Sequence, residues 1–462
     1  MASMLDSRTP WPQEFADRYR AAGHWRGSTL DAPLRGWALA YAARTALVHG
    51  GTRLTYANLN RRVDRVAAGF RLHGLRPGQR VVVQLPNVPE RVITVFALMR
   101  VGAVPVFCPL SYRTAEVSTV VRVTEAVGYV GPSVYQGFDH TAMAADIAAR
   151  GPFLRRVFTY EPPGTASPYG GLATDASGCH YFPLGSVDAP PEAPLARGAG
   201  QVAFFLLSDG APAAPKLIAR THDDYACQVR AAAESVSLTG DDVYLAVPPA
   251  ESDLAFGCPG VIGVLSAGGT VVLVEDAGPG EQLTAVERER VTIASVVPAI
   301  ARLWLEALPA VRADLSSLRL VQLGGASVPP ATAERLGCAL GCRLQRVFHR
   351  AEGLVVVARP TGPDGAVLTA RGRPLSPGDE IRIVGADGRD VPEGETGELL
   401  VRGPYTVRGY YRAPEHTARS FTGDGYFRTG ALARRTPDGD LVVTGQAEDA
   451  TRRASGSGPA DR

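Results

Sequence analysis

Lysine is almost missing from this sequence: of its 48 basic residues, Lys216 alone is a lysine and all the others are arginine. One lysine has to fall somewhere, so the count gains meaning only from where Lys216 stands. Cysteine is also scarce. Six in 462 residues, with no C-x-x-C pair, exclude a disulfide scaffold and a zinc ribbon. Cys338 and Cys342 lie one helical turn apart, but the nearest histidine is His349 and no second pair completes a metal site, so both read as buried structural thiols. An excess of one charge is lacking too. The net charge is +2 with acids and bases interspersed, which leaves no basic stripe for a phosphate backbone and excludes nucleic acid as a partner. No stretch approaches the ~18 apolar residues of a membrane span, and the opening MASMLDSRTPWPQEF lacks the basic-then-apolar layout of a signal peptide. The expectation is a cytoplasmic protein with no membrane partner.

What is present is a large apolar content, 45% of residues, enough for several packed layers and more than one subdomain. Short apolar runs at Arg80–Leu85, Ala103–Phe107, Val202–Leu207, Tyr244–Val247, Thr270–Val274 and Leu318–Leu323 alternate with helical patterns at Gln13–Arg20, Thr55–Leu72, Val88–Val101, Tyr225–Ser235 and Pro329–Leu340. That alternation predicts an α/β fold with sheets covered by helices on both faces. Thr55 is placed to cap the second helix. Residues 161–200 are rich in Pro, Gly, Ala and Ser, as in a loop joining subdomains. After Thr369 the pattern changes to short apolar runs between GADGR and EGETG turns, which predicts β-hairpins. The resulting division is 1–200 and 201–345 as α/β subdomains, 346–445 as a small β-rich subdomain, and 446–462 as a hinge remnant with a disordered tail.

Residues 204–225, FFLLSDGAPAAPKLIARTHDDY, form an apolar run, a loop of small residues, the sole lysine, then a polar helix start. This stretch resembles the phosphate-binding loop of the adenylate-forming superfamily, and its ending PKLIARTHDDY is similar to stand-alone aryl-acid AMP ligases of the 2,3-dihydroxybenzoate type. Other landmarks follow in order. Gly324-Gly-Ala-Ser327 resembles the adenine-contacting segment. Phe348-His-Arg-Ala-Glu-Gly353 stands where the family has its Gly-(Met/Tyr)-(Ala/Thr)-Glu signature, and Gly397–Pro404 with Arg408–Tyr411 resembles the small β subdomain. Tyr426-Phe-Arg-Thr-Gly430 resembles the ribose-contacting segment, and Gly445-Gln-Ala-Glu-Asp449 the hinge. The resemblance implies the family's large N-terminal domain: two helix-flanked β-sheets plus a small β-barrel-like subdomain, with the small C-terminal domain absent.

The departures fall where the chemistry is. A phosphate loop needs hydroxyls and glycine N–H groups. Ser208 and Gly210 remain, but Ala211, Pro212 and Ala213 replace the rest, and Asp209 adds a carboxylate that repels a triphosphate. An ordinary strand-to-helix turn accounts for this stretch as well as ATP binding does. The family's ribose-binding aspartate is Ala431, and the hinge arginine and lysine are Gln446 and Glu448. In the family a lysine from the C-terminal domain stabilises developing charge, worth roughly 10²–10³ in rate. No second lysine exists here to do so. In the acid pocket, Glu251, Ser252 and Asp253 replace the polar selector ahead of a matching Cys258, and His349 stands where the family has glycine.

The resemblance therefore gives a nucleotide-site remnant of Ser208, Gly210, Lys216, Gly324, Gly325, Ala326, Glu352 and Arg428. The acid-pocket positions are Glu251, Ser252, Asp253, Cys258, His349 and Arg350. Glu352 is the magnesium-coordinating position, and His349, Glu352 and Lys216 are the candidate catalytic residues. With Asp209 and His222 they are expected to line one cleft, where carboxylate and imidazole suffice for acid-base work. ATP and Mg²⁺ are expected to bind weakly or not at all. The leading expectation is a homologue that has lost ATP-dependent adenylation and binds, or acts without ATP on, a small or carrier-bound acyl or aryl metabolite. Two alternatives stand beside it: an active aryl-acid AMP ligase whose C-terminal domain is truncated or supplied in trans, and a non-catalytic scaffold of a peptide-synthetase-type pathway with a carrier protein as partner.

Overall fold

The computed structural model describes residues 9–162, 173–208, 215–249, 252–275, 278–324, 330–358 and 371–446. Two large sheets dominate them. In one, Thr45–His49, Thr270–Leu273, Val243–Ala246, Ile293–Val296, Leu320–Gly324 and Arg343–Arg350 lie side by side in that order, all parallel. The sheet continues antiparallel through Leu354–Ala358, Arg371–Pro374, Leu441–Gln446, Phe427–Arg435, Gly397–Arg402 and Glu380–Val384. The hairpins read after Thr369 are thus hydrogen-bonded onto the large sheet. The second sheet runs Leu217–Thr221, Val202–Leu207, Val104–Phe107, Arg80–Val83, Gly128–Pro132, Arg156–Tyr160, His180–Pro183 and Ala173–Thr174.

Its parallel strands carry continuous apolar runs, such as Val81–Val83 and Val104–Phe107, buried at every position because helices cover both faces. Helix Pro89–Val101 touches strands of both sheets, Thr45–His49 and Val104–Phe107, and is buried nearly all round. Its two basic residues have local partners: Arg100 pairs with Asp64 at 2.8 Å, and Arg91 lies over the Phe107 ring at 5.5 Å. Thr55 caps helix Tyr56–Leu72 as expected, accepting a bond from the Asn58 N–H at 3.2 Å.

Two stretches differ from the sequence reading. Residues 161–200, read as a joining loop, contribute strands Ala173–Thr174 and His180–Pro183 to the second sheet. The stretch after Lys216 is an edge strand, Leu217–Thr221, antiparallel to Val202–Leu207, and the helix read as Tyr225–Ser235 begins at His222. The Ser208–Lys216 connection therefore closes a hairpin, with the Ser208 N–H donating to the Lys216 carbonyl at 2.9 Å. Leu217 and Ile218 are buried against the sheet, and the Thr221–Asp224 capping box sets the helix start. Cys338 is exposed, contrary to the expectation of a buried thiol, whereas Cys342 is buried and its thiol is pushed up to about 12 by that burial.

The N-terminal helix Gln13–Ala21 and Trp25 dock on the antiparallel region. Trp25 Nε1 donates to the Pro404 carbonyl at 2.7 Å, and Arg408 lies over the Trp11 ring at 5.1 Å. Beneath this joint stands Asp379, which accepts from the Tyr405 hydroxyl at 2.5 Å and the Ser376 N–H at 3.1 Å. Part of the residue reaches solvent, but the carboxylate is enclosed, with Oδ1 buried and unpartnered. Burial pushes its pKa up from 3.8 to about 7. The folded state therefore holds a proton there that the unfolded chain releases near pH 4, so stability falls as pH rises from about 4 to about 7. Asp379→Asn is expected to remove that slope. Urea unfolding should show the variant gaining on wild type by on the order of 2 kcal/mol between pH 5 and 8. Parallel pH profiles for the two proteins would contradict the assignment.

Candidate active site

The hairpin brings Lys216 to the end of an edge strand, and the chain after strand Gly397–Arg402 brings Tyr410 beside it. Lys216 Nζ lies 4.8 Å from the centroid of the Tyr410 ring, a cation–π distance. The Tyr410 hydroxyl donates to Glu352 Oε1 at 2.7 Å. Tyr410 thus connects the sole lysine to the carboxylate of the AEG segment. Its part was not assigned from the sequence; the only signal was its place in the Arg408–Tyr411 motif.

Glu352 follows strand Arg343–Arg350 and is 5% exposed. Burial raises its pKa, opposed by the Tyr410 hydrogen bond and by the positive charges of Arg350 and Lys216. Its backbone is fixed as tightly as its side chain: the Glu352 carbonyl accepts from the Val407 N–H at 2.8 Å, and Gly353 takes φ +106°. Among the described residues no group of three or more His, Cys, Asp or Glu could hold a metal by itself. A single carboxylate with one oxygen committed still suits Mg²⁺ that arrives with phosphates and takes its other oxygens from them and from water.

Ser208 is 7% exposed, and its hydroxyl is buried without a partner, a polar atom that an anion at the hairpin turn would satisfy. Gly324 ends the strand Leu320–Gly324. A Cβ there would stand 2.4 Å from Leu254 Cδ2, so the glycine admits the leucine. Arg428 is ion-paired with Glu398 across neighbouring strands, and Ala431, fully buried, presents only a methyl group three residues further on. His349 lies on strand Arg343–Arg350 opposite Val355, with Nδ1 buried and unpartnered. Arg350 donates to Gln446 Oε1 at 3.1 Å. Gly210, Gly325, Ala326, Glu251 and Asp209 lie outside the described residues.

Several expected cleft residues serve the framework instead. Ser252 is a helix N-cap, accepting from the Ala255 N–H at 3.3 Å. Asp253 is 4% exposed and bound into an ionic cluster, accepting from Gln228 Nε2 at 2.9 Å and lying 3.9 Å from the buried Arg220. Cys258 is buried, which holds its thiol pKa far up and makes it unreactive. His222 accepts from the Leu30 N–H at 3.1 Å, and burial lowers its pKa to about 4, so it ties down the N-terminal arm as a neutral ring. Motif resemblance names Ser252, Asp253 and Cys258 as acid-pocket positions, and fold analogy names His222 as a cleft residue; here they make these framework contacts.

Comparison with known proteins places the chain among adenylate-forming relatives. A 2,3-dihydroxybenzoate-AMP ligase of Bacillus subtilis is 42% identical over 450 residues, covering 97% of this chain and 81% of the relative. The salicyl-AMP ligase / salicyl-S-ArCP synthetase of Mycobacterium tuberculosis is also 42% identical, over 97% of this chain and 78% of its own length. The apo structure of Mycobacterium smegmatis MbtA superposes with a TM-score of 0.86 at 40% identity, covering 96% of this chain and 81% of that one. These relatives carry the names of acid-activating enzymes, which favours the ligase alternative over the expectation of a lost activity. The AMP-binding enzyme family matches residues 34–411, and with a shared fold across nearly the whole chain, this protein belongs to that family.

Proposed function

We propose that this protein activates an aryl acid with ATP, as an aryl-acid AMP ligase whose grip on the nucleotide is weak. The reading rests on one observation: Lys216 and Glu352, the cation and the carboxylate such chemistry needs, flank the same tyrosine. The acid's carboxylate oxygen bonds to the α-phosphorus, the bond from that phosphorus to the bridging oxygen breaks, and pyrophosphate leaves. Lys216 sets a positive charge beside the phosphates, and the Ser208 hydroxyl donates to one of their oxygens. Mg²⁺ bound with the nucleotide at Glu352 supplies neutralisation of phosphate charge. A carrier protein as acceptor of the aryl group belongs to the same proposal.

Weakness follows from the ribose end. Ala431 offers no acceptor to the ribose hydroxyls, and Arg428 is committed to Glu398. Acid-dependent ATP–pyrophosphate exchange with 2,3-dihydroxybenzoate and salicylate is expected to be slow and to saturate only at high ATP. Ala431→Asp restores a carboxylate acceptor and should lower the KM for ATP roughly 10- to 100-fold, since hydrogen bonds to a charged group contribute about 1.5–3 kcal/mol. Absence of exchange from both proteins with every aryl acid would overturn the proposal. The second reading, ATP-independent binding of an acyl or aryl metabolite, would then take its place; the unpartnered Nδ1 of His349, three residues before Glu352, favours it.

A further inference from the structure

A cavity of about 420 Å³ lies away from all of these residues. It is enclosed by helices Tyr56–Leu72 and Pro89–Val101 and by the chain leaving strands Arg156–Tyr160 and His180–Pro183. These two strands are parallel, and the cavity opens at their carboxyl ends, where sheets of this kind hold ligands. The volume falls within the range of small-molecule sites.

Its floor is apolar, made by Val66, Ile93, Leu184 and Val187. Its charges are two arginines and three acids, a balance of −1. Both arginines are already taken: Arg62 pairs with Glu90 at 3.2 Å, and Arg65 forms a short two-point pair with Asp188. Glu161 has no such partner. Its Oε1 is buried and accepts no hydrogen bond. Tyr160, which also lines the cavity, has its hydroxyl pKa raised by burial and by the carboxylates of Glu275 and Glu90, so the local field is negative. A buried carboxylate oxygen left bare is unfavourable and calls for a donor, and a positively charged donor most of all.

We infer that this cavity is a binding site for a small organic cation, a primary ammonium on an apolar body of about one ring, with Glu161 as its anchor. The ammonium pairs with the Glu161 carboxylate, which has no ion-pair partner among the described residues, and the apolar body covers Val66, Ile93 and Leu184. An anion finds no free cation among the lining residues, and a neutral analogue leaves the carboxylate uncompensated. The inference is independent of acid activation at Lys216 and Glu352.

The probe is phenethylammonium, titrated calorimetrically into the full chain, with 2-phenylethanol and phenylacetate as neutral and anionic comparators. Saturable one-to-one binding is expected for the ammonium, and binding roughly 10- to 100-fold weaker, or none, for the other two. Glu161→Gln should weaken ammonium binding by a similar factor without lowering the unfolding midpoint, because it removes a carboxylate that has no ion-pair partner among the described residues. Val66→Trp should fill the cavity and abolish binding while pyrophosphate exchange stays as in the wild type. Equal affinity for the alcohol, wild-type binding by either variant, or no ammonium binding at millimolar concentration would each overturn the site.

Discussion

Replacing Arg220 with alanine is expected to lower the stability of the folded chain by about 3–5 kcal/mol, the range found when one partner of a buried charge cluster is removed. The guanidinium is wholly buried and every face of it is used. Nε bonds Asp224 at 2.8 Å, Nη2 bonds Gln228 at 2.9 Å and the Tyr405 carbonyl at 3.2 Å, and Nη1 bonds the Ala351 carbonyl at 3.1 Å. Its flat face lies 4.7 Å from the Tyr225 ring centroid. Burial opposes its charge, yet Asp224 and Asp253 hold its pKa above the usual arginine value. Alanine would strand two buried carboxylates and two backbone carbonyls. Lysine should rescue little, because an ammonium cannot reproduce the planar fork. Pairing Arg220→Met with Asp253→Asn should recover at least ~1 kcal/mol relative to Arg220→Met alone, since one stranded charge is then neutral. Urea midpoints of the four proteins decide this. A loss below ~1 kcal/mol for Arg220→Ala would mean that the cluster does not hold the two segments together.

That cluster also explains what the sequence could and could not disclose. The buried parallel strands were legible because both faces are covered, so stretches such as Val81–Val83 and Val271–Leu273 are apolar and buried at successive positions. Thr55 was legible because a cap is a local contact three residues long. Lys216 and Glu352 were reached through motif order, and the structure connects them through Tyr410. The edge strand Leu217–Thr221 was not legible. It is too short for its period to declare itself, and its pairing partner ends ten residues earlier on the far side of a loop. The framework contacts of Asp253 and His222 were not legible for a related reason: which way a polar side chain turns depends on Arg220 and Leu30, residues 33 and 192 positions away, and no local pattern encodes that. The cavity at Glu161 left no motif at all, because its walls come from four separated segments.

Gly353→Ala is expected to be comparably damaging, about 3–5 kcal/mol from backbone strain and overpacking together, and to strike the candidate site directly. Gly353 has φ +106°, a conformation that side-chain-bearing residues rarely adopt, and a Cβ there would stand 2.0 Å from the Tyr405 carbonyl oxygen and 2.6 Å from Thr406 Cα. Both neighbours are backbone, so neither can rotate out of the way. They are also pinned: the Thr406 hydroxyl donates to the Gly353 carbonyl at 2.9 Å, and the Val407 N–H donates to the Glu352 carbonyl at 2.8 Å. Relief of the clash must part these two segments, and with them Glu352 from the Tyr410 hydroxyl that lies three residues beyond Val407. Restricting the unfolded chain works in the opposite direction, but by only ~0.4–1 kcal/mol. Urea unfolding and pyrophosphate exchange should therefore fall together in this variant. In Tyr410→Phe, which removes the hydroxyl without moving the backbone, stability should change by no more than about 1–2 kcal/mol while exchange drops. A Gly353→Ala protein with wild-type stability would show that the approach of these two segments is not what fixes Glu352.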